Sequence, residues 1–315
     1  MTCLNKKKYE GFSNKEPIPI FSQPWWLDSV CGGREWDVVL IEKNGEVVAS
    51  FPYYLKKKGP FKLITMPPLT QTMGPYIKYP EGQKYAKKLA YEKEVMINLI
   101  EQLPKVDYFC QNFHPSITNW LPFYWKGFEQ STRYTYQLSY EIAEMNSFQS
   151  NIKTDIKKAS KIVNLESVDS INEIWQCLTK TFERQNKKPP YSKAFLENLE
   201  QQIKNKNASI KLVATDNDGH MHAAIYLVYL NSTIYYLIGG GDPKYRNSGA
   251  TSLLINKALK LARERRFTFD FEGSMIEPIE RFFRAFGAFQ TPYFQIKKVN
   301  SKLLKCREFL RELKQ

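Results

Sequence analysis

Hydrophobic and polar positions along this chain spell out one series of elements twice. In the first half, residues 37–41 read as a strand, Asn44-Gly45 as a tight hairpin turn and residues 46–55 as the return strand. Residues 209–215, Asp218-Gly219 and residues 220–230 repeat that arrangement in the second half. Each hairpin leads to a loop of unusual composition: Met66-Pro67-Pro68 through Gly74-Pro75 in one copy, Gly239-Gly240-Gly241-Asp242-Pro243 through Gly249 in the other. An amphipathic helix follows each loop, over 83–103 and 248–265, and then a short aromatic strand, over 106–113 and 267–271. An aromatic-rich helix (117–128; 278–286) and a closing strand (130–140; 291–299) complete both copies. The order predicts two similar α/β domains with mixed sheets, residues 1–145 and 146–300, joined near 141–148.

The second half carries further helices. Over 151–161, Ile152, Ile156, Ala159 and Ile162 recur at helical spacing, while Lys153 and Lys157 sit one turn apart on the polar side. A helix over 171–183 ends before Lys187-Lys188-Pro189-Pro190, because a residue preceding proline avoids helical angles. Ser192 is suited to cap a helix running to about 204. A basic amphipathic helix over 301–314 offers Leu303, Leu304, Phe309, Leu310 and Leu313 for packing.

Charge narrows the partners. Lys+Arg 46 against Asp+Glu 32 gives a formal net charge of +14 over 315 residues, which favours phosphate-bearing or otherwise anionic partners. Five scattered cysteines form neither a disulfide framework nor a zinc spacing and fit a reducing cytoplasm. No apolar run reaches the roughly 18 residues of a membrane helix, and the Lys-rich first 16 residues lack the apolar stretch of a signal peptide, so a cytoplasmic location is expected.

The second glycine loop has the makings of an anion site. A strand runs into three glycines, a helix starts near Ser248 or Gly249, and Arg246 stands beside the amides at that start. A glycine at 249 would let a pyrophosphate approach them; a plain helix-starting turn is the alternative. In the first copy Pro67, Pro68 and Pro75 remove amide donors, so only the second copy is expected to cradle phosphates.

Candidate chemistry follows on the next strand. Phe267-Thr268-Phe269-Asp270-Phe271-Glu272 alternates, which predicts Asp270 and Glu272 on one face, about 6.6 Å apart. Two acids on an apolar strand serve either as a general base of raised pKa or as a structural pair with Arg281, Arg284 or a lysine. Ser274 is a candidate cap for the following helix, and Tyr293 a candidate acid for a leaving group. His220 and His222 show no nearby acid or cysteine that would complete a metal site, and no metal is expected.

These residues resemble a known family. Arg246-x-x-Gly249-Ala250 between strand and helix resembles motif A of the GNAT acyltransferases, Gln/Arg-x-x-Gly-x-Gly/Ala, with Thr251 departing at the last position. Gly240-Gly241-Asp242-Pro243, Phe269-Asp270-Phe271-Glu272-Gly273-Ser274-Met275 and Phe282-Phe283-Arg284-x-Phe286-Gly287 are similar to tandem-GNAT proteins of the FemAB and BioF2-like superfamily. So are Trp25-Trp26-Leu27-Asp28, Pro52-Tyr53-Tyr54-Leu55 and Met66-Pro67-Pro68-Leu69-Thr70-Gln71 in the first half, and the Lys153, Lys157 helix in the second.

The resemblance implies two tandem GNAT-like domains and transfer of an activated acyl group to an amine acceptor between them. The donor is acyl-CoA, such as acetyl-CoA, in the BioF2-like branch. In Fem ligases it is an aminoacyl-tRNA, and the acceptor a cell-envelope precursor. Gly239, Gly240, Gly241, Arg246, Ser248, Gly249, Ala250 and Thr251 are then expected at the donor, Asp270, Glu272 and Tyr293 at the chemistry, and Lys153, Lys157, Arg184, Trp26 and Tyr236 at an anionic acceptor or tRNA. Residues 301–315 would return to the first domain, and the long helical arm of some Fem ligases is missing. A non-catalytic GNAT scaffold that binds polyanions is the rival reading.

Overall fold

The computed structural model describes residues 2–32, 35–142, 147–273 and 275–312. The expected linker over 141–148 falls partly outside the described residues, and the proposed Ser274 cap wholly so. The chain divides into two compact units, 1–133 with 292–315, and 134–291. The sequence reading placed the divisions at 145/146 and 300/301. The observed ones fall inside strands, where no composition shift or breaker marks them.

Unit one begins with α1 (Thr2–Ser13) and α2 (Pro24–Val30), followed by β1 (Trp36–Lys43), β2 (Glu46–Lys58), β3 (Phe61–Thr65), β4 (Tyr76–Ile77), α3 (Tyr85–Gln102), β5 (Tyr108–Asn112) and α4 (Leu121–Trp125). β1 and β2 form the expected hairpin about Asn44-Gly45, both with positive φ as a tight turn requires. β2 pairs antiparallel with β3, and β3 runs parallel to β5. The core gathers Phe51, Ile64, Val95, Leu99, Phe109, Phe113 and Phe123, each at most 2% exposed. Burying a side chain of this kind contributes about 1.5–3 kcal/mol.

Unit two takes the second half of β6 (Glu129–Leu138) and holds α5 (Ser150–Ala159), β7 (Val163–Ser167), α6 (Asn172–Glu183), α7 (Lys193–Asn205), β8 (Ser209–Asp216), β9 (Met221–Leu230), β10 (Thr233–Gly241), α8 (Ala250–Arg265), β11 (Thr268–Asp270) and α9 (Glu277–Arg284). Here β7, β8, β9 and β10 pair antiparallel in turn, and β10 runs parallel to β11. Ser192 caps α7 as expected, its hydroxyl accepting the Phe195 amide at 3.2 Å.

The repeat is real, and its closing strands are exchanged. β12 (Phe289–Val299), the last strand of the second copy, pairs antiparallel with β5 of unit one. β6, from the first copy, pairs antiparallel with β11 of unit two. Local patterning assigns each closing strand to its own copy; pairing across more than a hundred residues leaves no local trace.

Other departures are local. Only Leu121–Trp125 of the expected 117–128 helix is helical, because Pro122 opens one turn and Gly127 (φ 73°) ends it. The C-terminal helix α10 (Lys302–Glu312) leaves Leu303 and Leu310 72% and 59% exposed, which removes them from the packing expected of them. The Phe309 side chain and Leu313 lie outside the described residues.

Candidate functional site

β10 is paired with β9 along its whole length but with β11 only over Thr233–Tyr235. Beyond Tyr235 its second edge has no strand on it, so backbone groups there are left for other partners. A register shift between Tyr236 and Ile238 sets which groups face that edge. Asp242 N–H donates to the His222 carbonyl of β9, while Gly241 N–H points the other way, to the Thr181 hydroxyl at 3.2 Å. By the alternation of an antiparallel ladder, Gly239 N–H faces the same open edge as Gly241.

A cavity of 260 Å³ opens at the end of this edge. Gly239, Gly240 and Gly241 form one wall, Ser248, Ala250 and Thr251 at the start of α8 another, and the side chains of Arg246, Arg184 and Tyr236 complete it. The amides of Thr251 and Ser252 belong to the first turn, which has no i−4 carbonyl to use. Two guanidinium groups beside a helix start favour an anion of phosphate type.

Gly249 has a different duty from the one its sequence suggested. Its φ of +80° is left-handed, and a Cβ there would run into the Asp155 carbonyl of α5. The glycine therefore seats α8 against α5. Ser252 Oγ reaches Asp155 Oδ2 at 3.4 Å, and Lys158 Nζ holds the Asn247 carbonyl at 2.7 Å, so α5 braces the loop. Gly240 is likewise packed, its missing Cβ lying 2.7 Å from the Cys177 carbonyl of α6.

The two acids are buried in unit two at the end of β11. Asp270 is 5% exposed and accepts from Thr135 Oγ1 at 2.5 Å, Gln137 Nε2 at 2.8 Å and the Glu272 amide at 2.8 Å. Burial raises its pKa against those donors. β11 ends at Asp270 and Glu272 has φ 58°, so the predicted strict alternation stops one residue short of Glu272. Burial pushes the Glu272 carboxyl well above its ordinary value, and the Asp270 charge pushes it further. Arg284 holds Glu280 at 2.8 Å.

Residues 146–282 match the family described as an acetyltransferase (GNAT) domain. Among solved structures, the chain's fold is similar to FemX, 13% identical, with a TM-score of 0.66 over 92% of this chain and 95% of that one. It is also similar to L-PGS from Bacillus licheniformis (11% identical, TM-score 0.57, 98% and 96% covered). A tandem GNAT protein of the clavulanic acid biosynthesis pathway follows (9% identical, TM-score 0.51, 93% and 94% covered). No curated protein matches the sequence. The mixed α/β fold of this chain is thus similar to that of FemX and of a tandem GNAT protein.

Several expected site residues fall outside this cavity wall. Trp26 of unit one is fully buried, its Nε1 donating to Thr70 Oγ1 at 3.1 Å and its ring edge-on to Phe21, so it is a core residue and not a substrate contact. Tyr293 lies in unit one, 6% exposed, with Gln71 Nε2 donating to its hydroxyl at 3.3 Å. Lys153 and Lys157 lie on α5 outside the cavity wall; Lys158, passed over in the sequence, is the lysine that meets the loop.

Unit two also brings a carboxylate to the two histidines, where the sequence predicts no nearby acid. Asp216 Oδ2 lies 3.1 Å from His222 Nε2 and 3.2 Å from His220 Nδ1, so both histidines do have an acid beside them. Desolvation would raise the Asp216 carboxyl, but the His220 amide and the two imidazoles outweigh it and hold it at about 2. His222, 4% exposed, stacks flat on Tyr245 at 4.0 Å. Tyr245 belongs to the same short turn as Arg246, so the Asp216 to His222 to Tyr245 stack anchors the cavity's cation. The available signal was the Asp216-to-His222 hairpin, which brings the two side chains onto one turn end.

Proposed function

We propose that this protein is an acyltransferase that moves an acyl group from acyl-CoA to an amine acceptor, with the phosphates of the carrier in the Arg246 cavity. The observation that carries this reading is the combination of an open β10 edge ending at a cavity with Arg246, Arg184 and the first turn of α8 in its wall. Those residues fit a diphosphate: two guanidinium groups and first-turn amides offer converging donors. When bound, the thioester supplies an activated carbonyl. Gly239 N–H, facing the open edge, is the donor suited to that carbonyl oxygen, and Ser248 and Thr251 are suited to phosphate oxygens.

Glu272 is the proton acceptor in this reading. A carboxyl with its pKa raised by burial is matched to taking a proton from an amine near neutrality. Asp270 positions it, since its own oxygens are committed to Thr135, Gln137 and the Glu272 amide. Tyr236 lines the cavity and remains a candidate substrate contact, as Arg184 does; Lys153 and Lys157 would meet a larger anionic acceptor.

The test is titration of acetyl-CoA and longer acyl-CoAs into wild type and Arg246→Ala, followed by an acyl-transfer assay with amine acceptors. Removing one charge-assisted contact costs about 1.5–3 kcal/mol, roughly ten- to a hundredfold in affinity. Equal affinity in both proteins would end the assignment.

A second reading is a FemAB-like ligase that draws its acyl group from an aminoacyl-tRNA and serves a cell-envelope precursor. The similarity to FemX and to a lysylphosphatidylglycerol synthetase supports it. It predicts binding of charged tRNA whose logarithm falls by about 0.7 to 0.9 per neutralised phosphate with the logarithm of salt concentration. A chain with neither activity, holding unrelated polyanions equally well, would instead be a scaffold.

A further inference from the structure

Unit one presents an aromatic face that the acyl-transfer reading does not use. Leu121, Tyr124 and Trp125 stand at i, i+3 and i+4 on α4, so they leave the helix on one side, 41%, 59% and 54% exposed. The turn beneath them is firmly held. Phe123 is fully buried, edge-on to Phe51, Phe113 and Phe128, and Gly127 N–H closes onto the Tyr124 carbonyl at 2.9 Å. Single exposed apolar residues are ordinary, but a Trp, a Tyr and a Leu on one rigid face are a patch that asks for a partner.

The charge around the patch says which kind. Lys93 Nζ lies 5.2 Å from the Trp125 ring, and Lys126 follows directly in sequence, 2.6 Å from Glu101. Lys298 Nζ reaches the Lys126 carbonyl at 2.6 Å and lies 4.9 Å from the Phe128 ring. Lysine stems run along apolar surface while the ammonium reaches outward, and Tyr and Trp settle where an apolar phase meets water. Lys93 stands over one face of Trp125, and the Trp120 and Tyr124 rings meet at 5.5 Å in a T shape. Such a mixed apolar and cationic face suits shallow insertion among lipid headgroups.

We propose that the Leu121, Tyr124, Trp125 face docks this protein on an anionic lipid surface, with Lys93 at its edge meeting the lipid phosphates. Among the described residues no helix is long and apolar enough to cross a membrane, so this is surface attachment. The proposal stands apart from the donor cavity of unit two and does not depend on which acyl carrier is used.

The test is co-sedimentation of the full chain with phosphatidylcholine vesicles, alone or with about 30% phosphatidylglycerol, at low and high salt. Wild type should sediment with the anionic vesicles, more at low salt, and hardly at all with the neutral ones. Tyr124→Ser with Trp125→Ser should lower that binding about tenfold, and Lys93→Glu about three- to tenfold. Both variants should keep the wild-type melting temperature and acyl-CoA affinity, because the altered side chains are exposed and lie outside the donor cavity. Wild-type lipid binding in the double variant would overturn the proposal. So would absence of binding by wild type, or tighter binding of a single-stranded RNA probe that the double variant loses.

Discussion

The two units handle the end of their parallel strand pair in opposite ways. In unit two, β10 and β11 separate after Tyr235 and Asp270, and the freed edge of β10 runs on to a cavity. In unit one, β3 and β5 separate after Ile64 and Phe109, but the chain that follows β3 comes back and fills the place. Met73 bridges to Phe113 and donates its amide to the Asn112 carbonyl at 2.7 Å, Asn112 Nδ2 donates to the Gln71 carbonyl at 3.1 Å, and Asn112 N–H meets Met66 Sδ. Pro67, Pro68 and Pro75 stiffen that filling segment, where unit two has three glycines. One duplicated framework thus yields an occupied edge and an open one, decided by a loop of about ten residues. The open copy is the one we propose takes the acyl donor.

The strongest way to break this comparison is at Gly249. If the glycine served only to admit a phosphate, Gly249→Ala would lose ligand affinity and keep its stability. With φ at +80° and the Asp155 carbonyl in the path of a Cβ, the ligand-free protein should instead lose about 2–4 kcal/mol, read as a lowered urea midpoint. A variant as stable as wild type would show that α5 does not set the start of α8.

Arg246→Ala should leave stability within about 0.5 kcal/mol, since the side chain is exposed, while weakening acyl-CoA binding roughly ten- to a hundredfold. The companion change belongs in the filled copy. Pro67→Gly with Pro68→Gly should cost unit one about 1–2 kcal/mol by loosening the unfolded chain and should not alter acyl-CoA affinity, measured by calorimetry. A change in affinity from the proline pair would mean that the filled edge takes part in donor binding after all.

Local signals made much of this legible in the sequence. The Asn44-Gly45 and Asp218-Gly219 turns placed both hairpins, and Ser192 placed the start of α7. The Gly239 to Thr251 segment contained most of the cavity wall. What escaped was non-local. The exchange of β6 and β12 depends on pairings such as Gln295 with Asn112, which no window along the chain contains. Trp26 carried a family-like signature but is a core side chain, because residue type does not report the direction in which a side chain leaves its helix. Gly249 was read as an opening because the sequence cannot show Asp155 behind it. His222 was dismissed for want of an acid that lies six residues away, across a turn.

Glu272 offers a smaller effect with a definite sign. Its folded-state pKa is raised, so the folded chain keeps this proton to higher pH than the unfolded chain, whose Glu titrates near 4.3. Stability therefore falls as pH climbs from that value through the folded one, and is regained on acidification. Glu272→Gln removes the liability: its melting temperature should exceed that of wild type by about 2–5 °C at pH 8 and match it near pH 4. Parallel curves at all pH values would show that the carboxyl titrates normally. The same variant should lose acyl transfer at pH 8 if Glu272 takes the proton there, which separates a catalytic carboxyl from a merely buried one.

The mildest change tests how the open copy keeps its cation in place. Tyr245 presents a ring face to His222 at 4.0 Å and an interplanar angle of 5°, and it stands next to Arg246 in the turn. No hydrogen bond of its hydroxyl enters this argument, so Tyr245→Phe should bind acyl-CoA within about twofold of wild type, because stacking survives. Tyr245→Ala removes the surface on which His222 rests and frees the turn, and should weaken binding about three- to tenfold, chiefly through faster dissociation. Asp216→Asn should fall between them, since it leaves the ring stack but loosens the imidazole that Asp216 orients. Equal affinities across the series would show that Arg246 is held by its own backbone alone. The anchored turn would then be incidental to the difference between the two copies, and the loss of prolines would account for the open edge by itself.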